Sequence, residues 1–436
     1  MIKKITSILK NKEVLNRIIF TLVILFIFKL GSTITIPRVD ITNVDIQNSS
    51  DIFGLMNILG GGALKRFSLF ALGVSPYITA SIVVNLLSMG ILPKLEELTK
   101  QGAQGRKKLD DTTRALTVLL AGVQAYGIVV TMQNQYGLSP IGGGSFSFWD
   151  YIYLIVITMA GTFLLVWMAD QITSKGVGNG VSIIIFAGII TEIPYQIVNA
   201  FQNFVGVDVT GGAIFNGVIK FSIYLLAYLL LVIFVIFMER SIRKVPIQYA
   251  STTFQARTND VTYLPIKINS AGVIPVIFAS SVLTAPPIIM NFLSIPRSNP
   301  VYQILSINGT YLGIPFGLIL YIILIIVFTY FYTGLQVDPV KISDNFAKSG
   351  AYIPGIRPGN ETAKYLKKVI YRVTTLGALF LTIISALPMF LTMYLSLPSS
   401  IAFGGTGLII VVGVILETAK EIDGRLAAKE YQGFIG

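Results

Sequence analysis

The sequence predicts an all-α polytopic membrane protein, and three observations carry that prediction. Hydrophobic residues make up 53% of the 436-residue chain and charged residues only 12%, with a mean hydropathy of +0.74, whereas a soluble domain carries roughly 25% charge. The apolar residues gather into ten stretches of spanning length, centred near residues 26, 80, 124, 160, 189, 228, 280, 322, 383 and 410; a helix needs about 20 residues to cross the hydrocarbon core. The basic residues alternate between these stretches. With the N-terminus inside, all but Lys29, Arg38, Lys65, Arg66, Lys220 and Arg297 of the 33 Lys and Arg fall on one side. The positive-inside rule then places both termini in the cytosol, in agreement with an even number of spans.

Taken in order, the N-terminus is a basic amphipathic stretch (Lys3, Lys4, Lys10, Lys12) that leads into the first span without the pattern of a cleavable leader. Lys29 lies in the outer half of that span and is expected to snorkel toward the headgroups. Next comes a short apolar stub, Ile52-Phe53-Gly54-Leu55-Met56-Asn57-Ile58-Leu59, which runs into Gly60, Gly61 and Gly62 and then into a span over about 67–92. The stub is too short to cross, and partial segments persist at membrane depth only when buried in protein or lining a cavity. The glycines permit the sharp turn that a β-carbon resists. A half-inserted element hinged onto the second span, and an enclosed cavity, are therefore expected.

Residues 94–114 mix charges with Gly102 and Gly105 and read as a solvated loop. Asn85 in the second span and Gln124 in the third are amides within apolar helices, where interhelical hydrogen bonds are favoured. Glu192 and Pro194 make the fifth span the weakest, an interrupted one. Residues 245–267 alternate polar and apolar side chains, as in Val261-Thr262-Tyr263-Leu264-Pro265-Ile266, which predicts a projecting β-hairpin. Residues 347–359 form a Gly/Pro-punctuated tip before a basic helix that starts near Glu361. The chain reads as one membrane domain, with five spans on each side of the 192–215 loop. Were the halves repeats, the odd number would force them into inverted topology; no residue-level self-similarity argues for it.

The chemistry is narrowed by what is missing. With no Cys and no His, the chain offers no disulfide, thiol nucleophile, imidazole base or histidine metal ligand. Rhomboid-type and HExxH proteases and haem-bearing subunits are excluded. Gly176, Gly178 and Gly180 do not match a G-x-G-x-x-G loop, and Gly60-Gly61-Gly62-Ala63-Leu64-Lys65-Arg66 lacks Walker spacing. Both read as tight turns at helix starts, and no cofactor is expected. Asp170, Glu192, Glu239 and Glu417 sit near span ends, whereas an ion-coupled transporter keeps an acidic or histidine relay at the midplane. A channel is therefore favoured over a transporter or an enzyme.

Five strings then stand out in order: Gly73-Val74-Ser75-Pro76-Tyr77-Ile78-Thr79-Ala80-Ser81-Ile82; Gly176-Val177-Gly178-Asn179-Gly180-Val181-Ser182; Leu264-Pro265-Ile266-Lys267-Ile268-Asn269 with Gly272-Val273-Ile274-Pro275-Val276; Pro354-Gly355-Ile356-Arg357-Pro358-Gly359; and Phe403-Gly404-Gly405-Thr406. Together, over about residues 15–430, they closely resemble the SecY/Sec61-alpha family, the channel-forming subunits of Sec protein translocases. The resemblance implies a ten-helix clam shell with inverted pseudo-symmetric halves, about 15–200 and 215–420. It implies passage of unfolded secretory proteins across the bacterial cytoplasmic membrane, and lateral release of membrane-protein helices into it.

The same resemblance assigns residues. The stub becomes the plug over about 50–66, including Ile52, Phe53, Leu55, Met56, Ile58, Leu59 and Gly60, Gly61 and Gly62. A pore ring falls on Val74, Ile78, Val181, Ile185, Ile277 and Ile410. Val74/Ile78 and Val181/Ile185 are i, i+4 pairs on one helix face, and a ring of aliphatic side chains dewets a gap against ions. Asn85 and Gln124 become candidate latches of a lateral gate between spans two and three and spans seven and eight. The cytosolic loops 239–269 and 336–367 become docking surfaces, with Arg240, Arg243, Lys244 and Arg357 suited to carboxylate or phosphate. The implied partners are SecE- and SecG-like small membrane subunits, the SecA motor ATPase, the ribosome, signal-peptide-bearing precursors and membrane lipids.

Overall fold

A helix occupies each of the ten positions at which the apolar stretches are centred. The computed structural model describes residues 11–41, 57, 60–88, 92–141, 144, 146–206, 212–249, 262–292, 295–296, 299–306, 309, 311, 314–394 and 405–432. In chain order the helices are α1 (Lys12–Thr33), α2 (Ser75–Leu87), α3 (Pro93–Lys100), α4 (Gly102–Tyr136), α5 (Phe148–Lys175), α6 (Gly180–Val205), α7 (Gly212–Arg240), α8 (Ile274–Phe292), α9 (Pro300–Leu305), α10 (Phe316–Gln336), α11 (Pro339–Ser349), α12 (Asn360–Tyr394) and α13 (Gly405–Gln432). Among the described residues, seven of them are long and apolar enough to cross a membrane. Of the remaining spans, α2 is short at 13 residues, α8 runs 19 residues through Pro286 and Pro287, and α13 is apolar only in its first half.

Three expectations are corrected. The second span does not begin at residue 67: residues 60–74 are turns and the helix runs only Ser75–Leu87, 13 residues or about 20 Å. The region 94–114 is helical rather than a loop, because Pro93 takes the first turn of α3, where its missing N–H costs nothing, and α4 begins at Gly102. The fifth span is not interrupted: α6 runs 26 residues through Pro194. Two expectations hold. The hairpin forms as β3 (Ile242–Pro246) and β5 (Tyr263–Lys267), antiparallel with Ile242 opposite Lys267. The basic helix α12 starts at Asn360.

Local chemistry sets the helix ends. Ser147 and Asp150 make a capping box on α5, Asn179 accepts the Ser182 N–H at the start of α6, and Asp338 accepts two N–H groups at the start of α11. Gly137 and Gly350 end α4 and α11 in the left-handed conformation.

The helices form two sets. α1, α2, α4, α5 and α6 pack together, as do α7, α8, α10, α12 and α13. On one side α6 meets α7 and α13; on the other α8 meets α2 and α4. Each set has its own core. One gathers Leu64, Phe67, Ile128, Met132 and Leu154; the other gathers Tyr321, Ile325, Phe380, Leu381 and Ile384. At the basic end, β4 (Gln248–Tyr249) pairs with β6 (Ala351–Tyr352), joining two segments far apart in sequence. At the opposite end β1 (Val39–Asp40) pairs with β2 (Ser139–Pro140).

Candidate functional site

Each expected ring residue lies within the first two turns of a helix, or on its cap. Val74 caps α2 and Ile78 is in its first turn; Val181 and Ile185 open α6; Ile277 opens α8; Ile410 is in the second turn of α13. Five of the six meet in one apolar cluster. Val74, Ile185 and Ile410 are buried in it, and Ile78 and Val181 pack against it partly buried. Ile277 is not part of that cluster: it is half-buried on α8, while its neighbours Val276 and Phe278 are buried in two other clusters. The glycine strings explain the convergence. Gly178 has φ +80°, and a β-carbon on Gly180 would stand 1.9 Å from the Ala169 carbonyl oxygen, so α5 turns into α6 with no room for a side chain. That loop is fastened from both flanks. Thr21 on α1 accepts the Val177 N–H at 3.2 Å, and Glu421 on α13 accepts the Gly178 N–H at 2.8 Å. A tight turn, not a nucleotide loop, is what these glycines build.

Beside the cluster lies the seat of the stub. Ile52, Phe53, Leu55, Met56, Ile58 and Leu59 lie outside the described residues; Asn57 and everything from Gly60 to Ser88 lie within them. Gly60, Gly61 and Gly62 are buried, with φ +67° at Gly61 and +82° at Gly62. Asn57 accepts twice from the turn: its carbonyl from the Gly62 N–H at 2.9 Å and its Oδ1 from the Lys65 N–H at 2.8 Å. The chain that follows is deeply held, with Ala63, Leu64, Phe67 and Phe70 all at or below 1% exposure. Lys29 does not snorkel. Its ammonium is half-buried and donates to the Gly61 carbonyl and to Thr191 Oγ1, both at 3.1 Å. A lysine stem can satisfy its head by bending toward a nearby carbonyl as well as by reaching water. Glu192, read from sequence only as an interruption, faces the same turn: a β-carbon on Gly62 would meet its Oε1 at 2.5 Å.

Where α8 meets α2 and α4, the contacts are apolar. Ile82, Ala271, Phe278 and Tyr332 are buried together, and Phe278 stacks on Phe328 with centroids 5.1 Å apart. Ile82 closes the first of the motif strings, while Tyr332 carried no sequence signal beyond its place in an apolar span. Asn85 is exposed and Gln124 Oε1 is buried without a hydrogen-bond partner; among the described residues neither amide bonds to α8 or α10. At the basic end Arg240, Arg243 and Arg357 are exposed, and Lys244 lies 4.5 Å over the Tyr263 ring. The β4–β6 pair brings the two loops together, reinforced by the Tyr352 hydroxyl, which donates to Gln248 Oε1 at 3.0 Å. Arg357 rides on a tip whose turns use Gly355 and Gly359, at φ +80° and +94°. Among the described residues no cluster of carboxylates could hold a metal.

Comparison with known proteins gives one answer. The family model described as SecY matches residues 68–419. The protein translocase subunit SecY of Staphylococcus aureus (strain NCTC 8325) is 44% identical over 439 residues, covering 100% of both chains. That of Bacillus licheniformis is 42% identical over 442 residues, again covering 100% of each. Among solved structures, a protein conducting channel superimposes with a TM-score of 0.66 at 18% identity, over 94% of this chain and 92% of that one. Sec61 in the canine ribosome–channel complex superimposes with a TM-score of 0.64 at 18% identity, over the same shares.

Proposed function

The chain belongs to the SecY family of protein translocase channel subunits, and from that premise we propose how its residues divide the work. The observation that carries the reading is the meeting of Val74, Ile78, Val181, Ile185 and Ile410 beside the buried Gly60–Gly62 turn. The aliphatic side chains form a constriction that keeps the gap dry when idle and closes around an extended chain during passage. Ile277 joins this ring from α8, the element on the other side of the seam, when the two helix sets are drawn together. Two of the six ring members are Val, which leaves the opening slightly wider than six isoleucines would. Residues of about 50–66 stopper the channel from the outer side.

The ten helices span the bacterial cytoplasmic membrane in two inverted halves, with both termini cytosolic. Unfolded secretory chains are pushed through from the basic end. Apolar segments leave sideways between α2/α4 and α8/α10, exchanging one set of apolar contacts for another. SecE- and SecG-like small subunits complete the channel, and a SecA motor or a ribosome docks on Arg240, Arg243, Lys244 and Arg357.

The test is reconstitution of the purified chain with its small subunits and motor in liposomes. ATP-driven protection of a secretory precursor from added protease is expected. Uptake of small solutes with no precursor protection would defeat the reading.

A further inference from the structure

One face of α13 lies against α6, and its chemistry changes at one end. Gly407, Ile410, Val414, Thr418 and Glu421 recur at spacings of three and four, so they share that face. A β-carbon on Gly407 would stand 3.2 Å from Ile189 Cγ2, and one on Gly178 would stand 3.1 Å from Thr418 Oγ1. Between these points Ile410 and Val414 are buried with Ile183, Ile184 and Ile185. Glu421 closes the row. Its Oε2 accepts the Gly178 N–H at 2.8 Å, while its Oε1 accepts from Arg425 Nε at 2.9 Å and Nη2 at 2.7 Å.

The turn that Glu421 holds is tied down within the helix set of α6. The Gly180 N–H donates to Thr173 Oγ1 at 2.9 Å, the Val177 N–H to Thr21 Oγ1 at 3.2 Å, and Arg17 Nη1 to the Gly176 carbonyl at 3.4 Å. A pull on the Gly178 N–H therefore reaches α6 with little slack. The apolar part of the row behaves otherwise. Aliphatic side chains in lipid set no unique register, because each meets its neighbours about as well as the next. A single polar contact within an apolar helix seam fixes the register, at some cost in stability. A carboxylate accepting a backbone N–H is such a contact, directional and roughly twice as strong as a neutral bond. Glu421 lies about three turns, roughly 16 Å, along the same face from Ile410.

We propose that Glu421, oriented by Arg425, is a positioning residue for the constriction: its bond to the Gly178 N–H sets the register of α13 against α6, and so holds Ile410 in place with Val181 and Ile185. This rests on the reading of those residues as the ring. The two helices belong to different sets, so the bond fixes across the seam what neither set fixes by its own packing. The accepting oxygen is what matters. An amide in place of the carboxylate still accepts the Gly178 N–H, whereas an aliphatic side chain leaves it unmet and lets α13 slip or rotate.

The chain has no cysteine, so an introduced pair reads the register without background. Ile189→Cys with Gly407→Cys puts two thiols at the far end of the row, and their oxidative crosslinking is timed in proteoliposomes bearing the idle translocase. Adding Glu421→Leu is expected to slow crosslinking about tenfold, the population equivalent of one lost bond to a charged group. Adding Glu421→Gln is expected to change it by less than about twofold. Resting ion conductance, measured without the cysteines, should follow the same order: up about tenfold in Glu421→Leu and near the parent in Glu421→Gln. Unchanged crosslinking in Glu421→Leu overturns the register, and equal rises in the two variants overturn the part played by the accepting oxygen. A role in stability alone would lower the melting midpoint of Glu421→Leu while crosslinking and conductance stayed at parent values, and would overturn the proposal. Should Glu421→Leu fail to insert, Arg425→Met leaves the acceptor in place but unheld. Crosslinking is then expected to slow about threefold, and no change overturns the proposal. Ile410→Asn separates the two readings. If it leaks while Glu421→Leu does not, the positioning role falls and the ring stands; if it does not leak, both fall.

Discussion

On one side of the molecule the two helix sets meet where α6 passes into α7 and α13 lies along α6; on the other, α8 rests on α2 and α4. The first seam brings backbone close to its neighbour. A β-carbon on Gly217 would stand 2.5 Å from the Phe204 carbonyl oxygen, and one on Gly407 would stand 3.2 Å from Ile189 Cγ2. It is also pinned by the Gly178–Glu421 bond, whose carboxylate is held in turn by Arg425. The second seam is made of aliphatic and aromatic side chains, with an exposed amide at Asn85 and an unpaired oxygen at Gln124. Close backbone packing has no substitute in lipid, whereas side chains like Ile82 and Phe278 can be replaced one for one by acyl chains or by an apolar segment. On the proposed reading, the first seam stays shut and the second exchanges partners at little cost.

Substitutions on the two seams should therefore differ in kind. The largest effect is expected from Gly217→Val, which forces atoms into the Phe204 backbone. A loss of about 3 kcal/mol is expected, at the upper end for overpacking, read as a lower melting midpoint by the fluorescence of Trp149 and Trp167. A midpoint equal to the parent's would break the distinction between the seams. Next, Ile410→Asn places an amide in the cluster between them. Its uncompensated burial is worth about 2 kcal/mol, and resting ion conductance in planar bilayers should rise more than tenfold. Phe278→Leu on the second seam keeps an apolar side chain but removes the stack on Phe328, and should cost about 1.5 kcal/mol. It should nonetheless speed transfer of an apolar segment into lipid, measured by photocrosslinking to labelled phospholipid; unchanged transfer would show that α8 does not form the exit. The smallest effect is expected from Gln124→Leu, which removes a buried unpaired oxygen and should raise stability by about 1 kcal/mol. A drop in melting temperature would mean that the amide is bonded in the membrane.

Much of this architecture was legible in the residues. Ten apolar runs gave ten helix positions, because length and hydropathy alone decide what can lie in lipid. The period-two alternation around Val245 and Ile266 gave the hairpin. What failed did so for identifiable reasons. Residues 67–74 are apolar whether they form a helix or a buried turn, and only φ values such as +41° at Phe67 and +60° at Gly73 tell the two apart. Gly102 and Gly105 are loop signals, yet Gly102 opens α4 and Gly105 lies within it. Lys29 read as a snorkelling residue because its partner Thr191 is 162 positions away. Pro194 read as a break, yet α6 accommodates it. The ring was legible through ordered motifs, not through composition, since nothing distinguishes Ile277 from the lipid-facing isoleucines around it.

The pairing of Gln248–Tyr249 with Ala351–Tyr352 carries a mechanical consequence. The strand that holds Gln248 follows β3, which continues directly from the end of α7, while the strand that holds Ala351 leads into the Arg357 tip. The two loops are thus a single lever. On the proposed docking, a push at Arg357 passes through the paired strands to α7, the helix that meets α6. In that docking, a load taken by either loop is shared with the other through the β4–β6 pair.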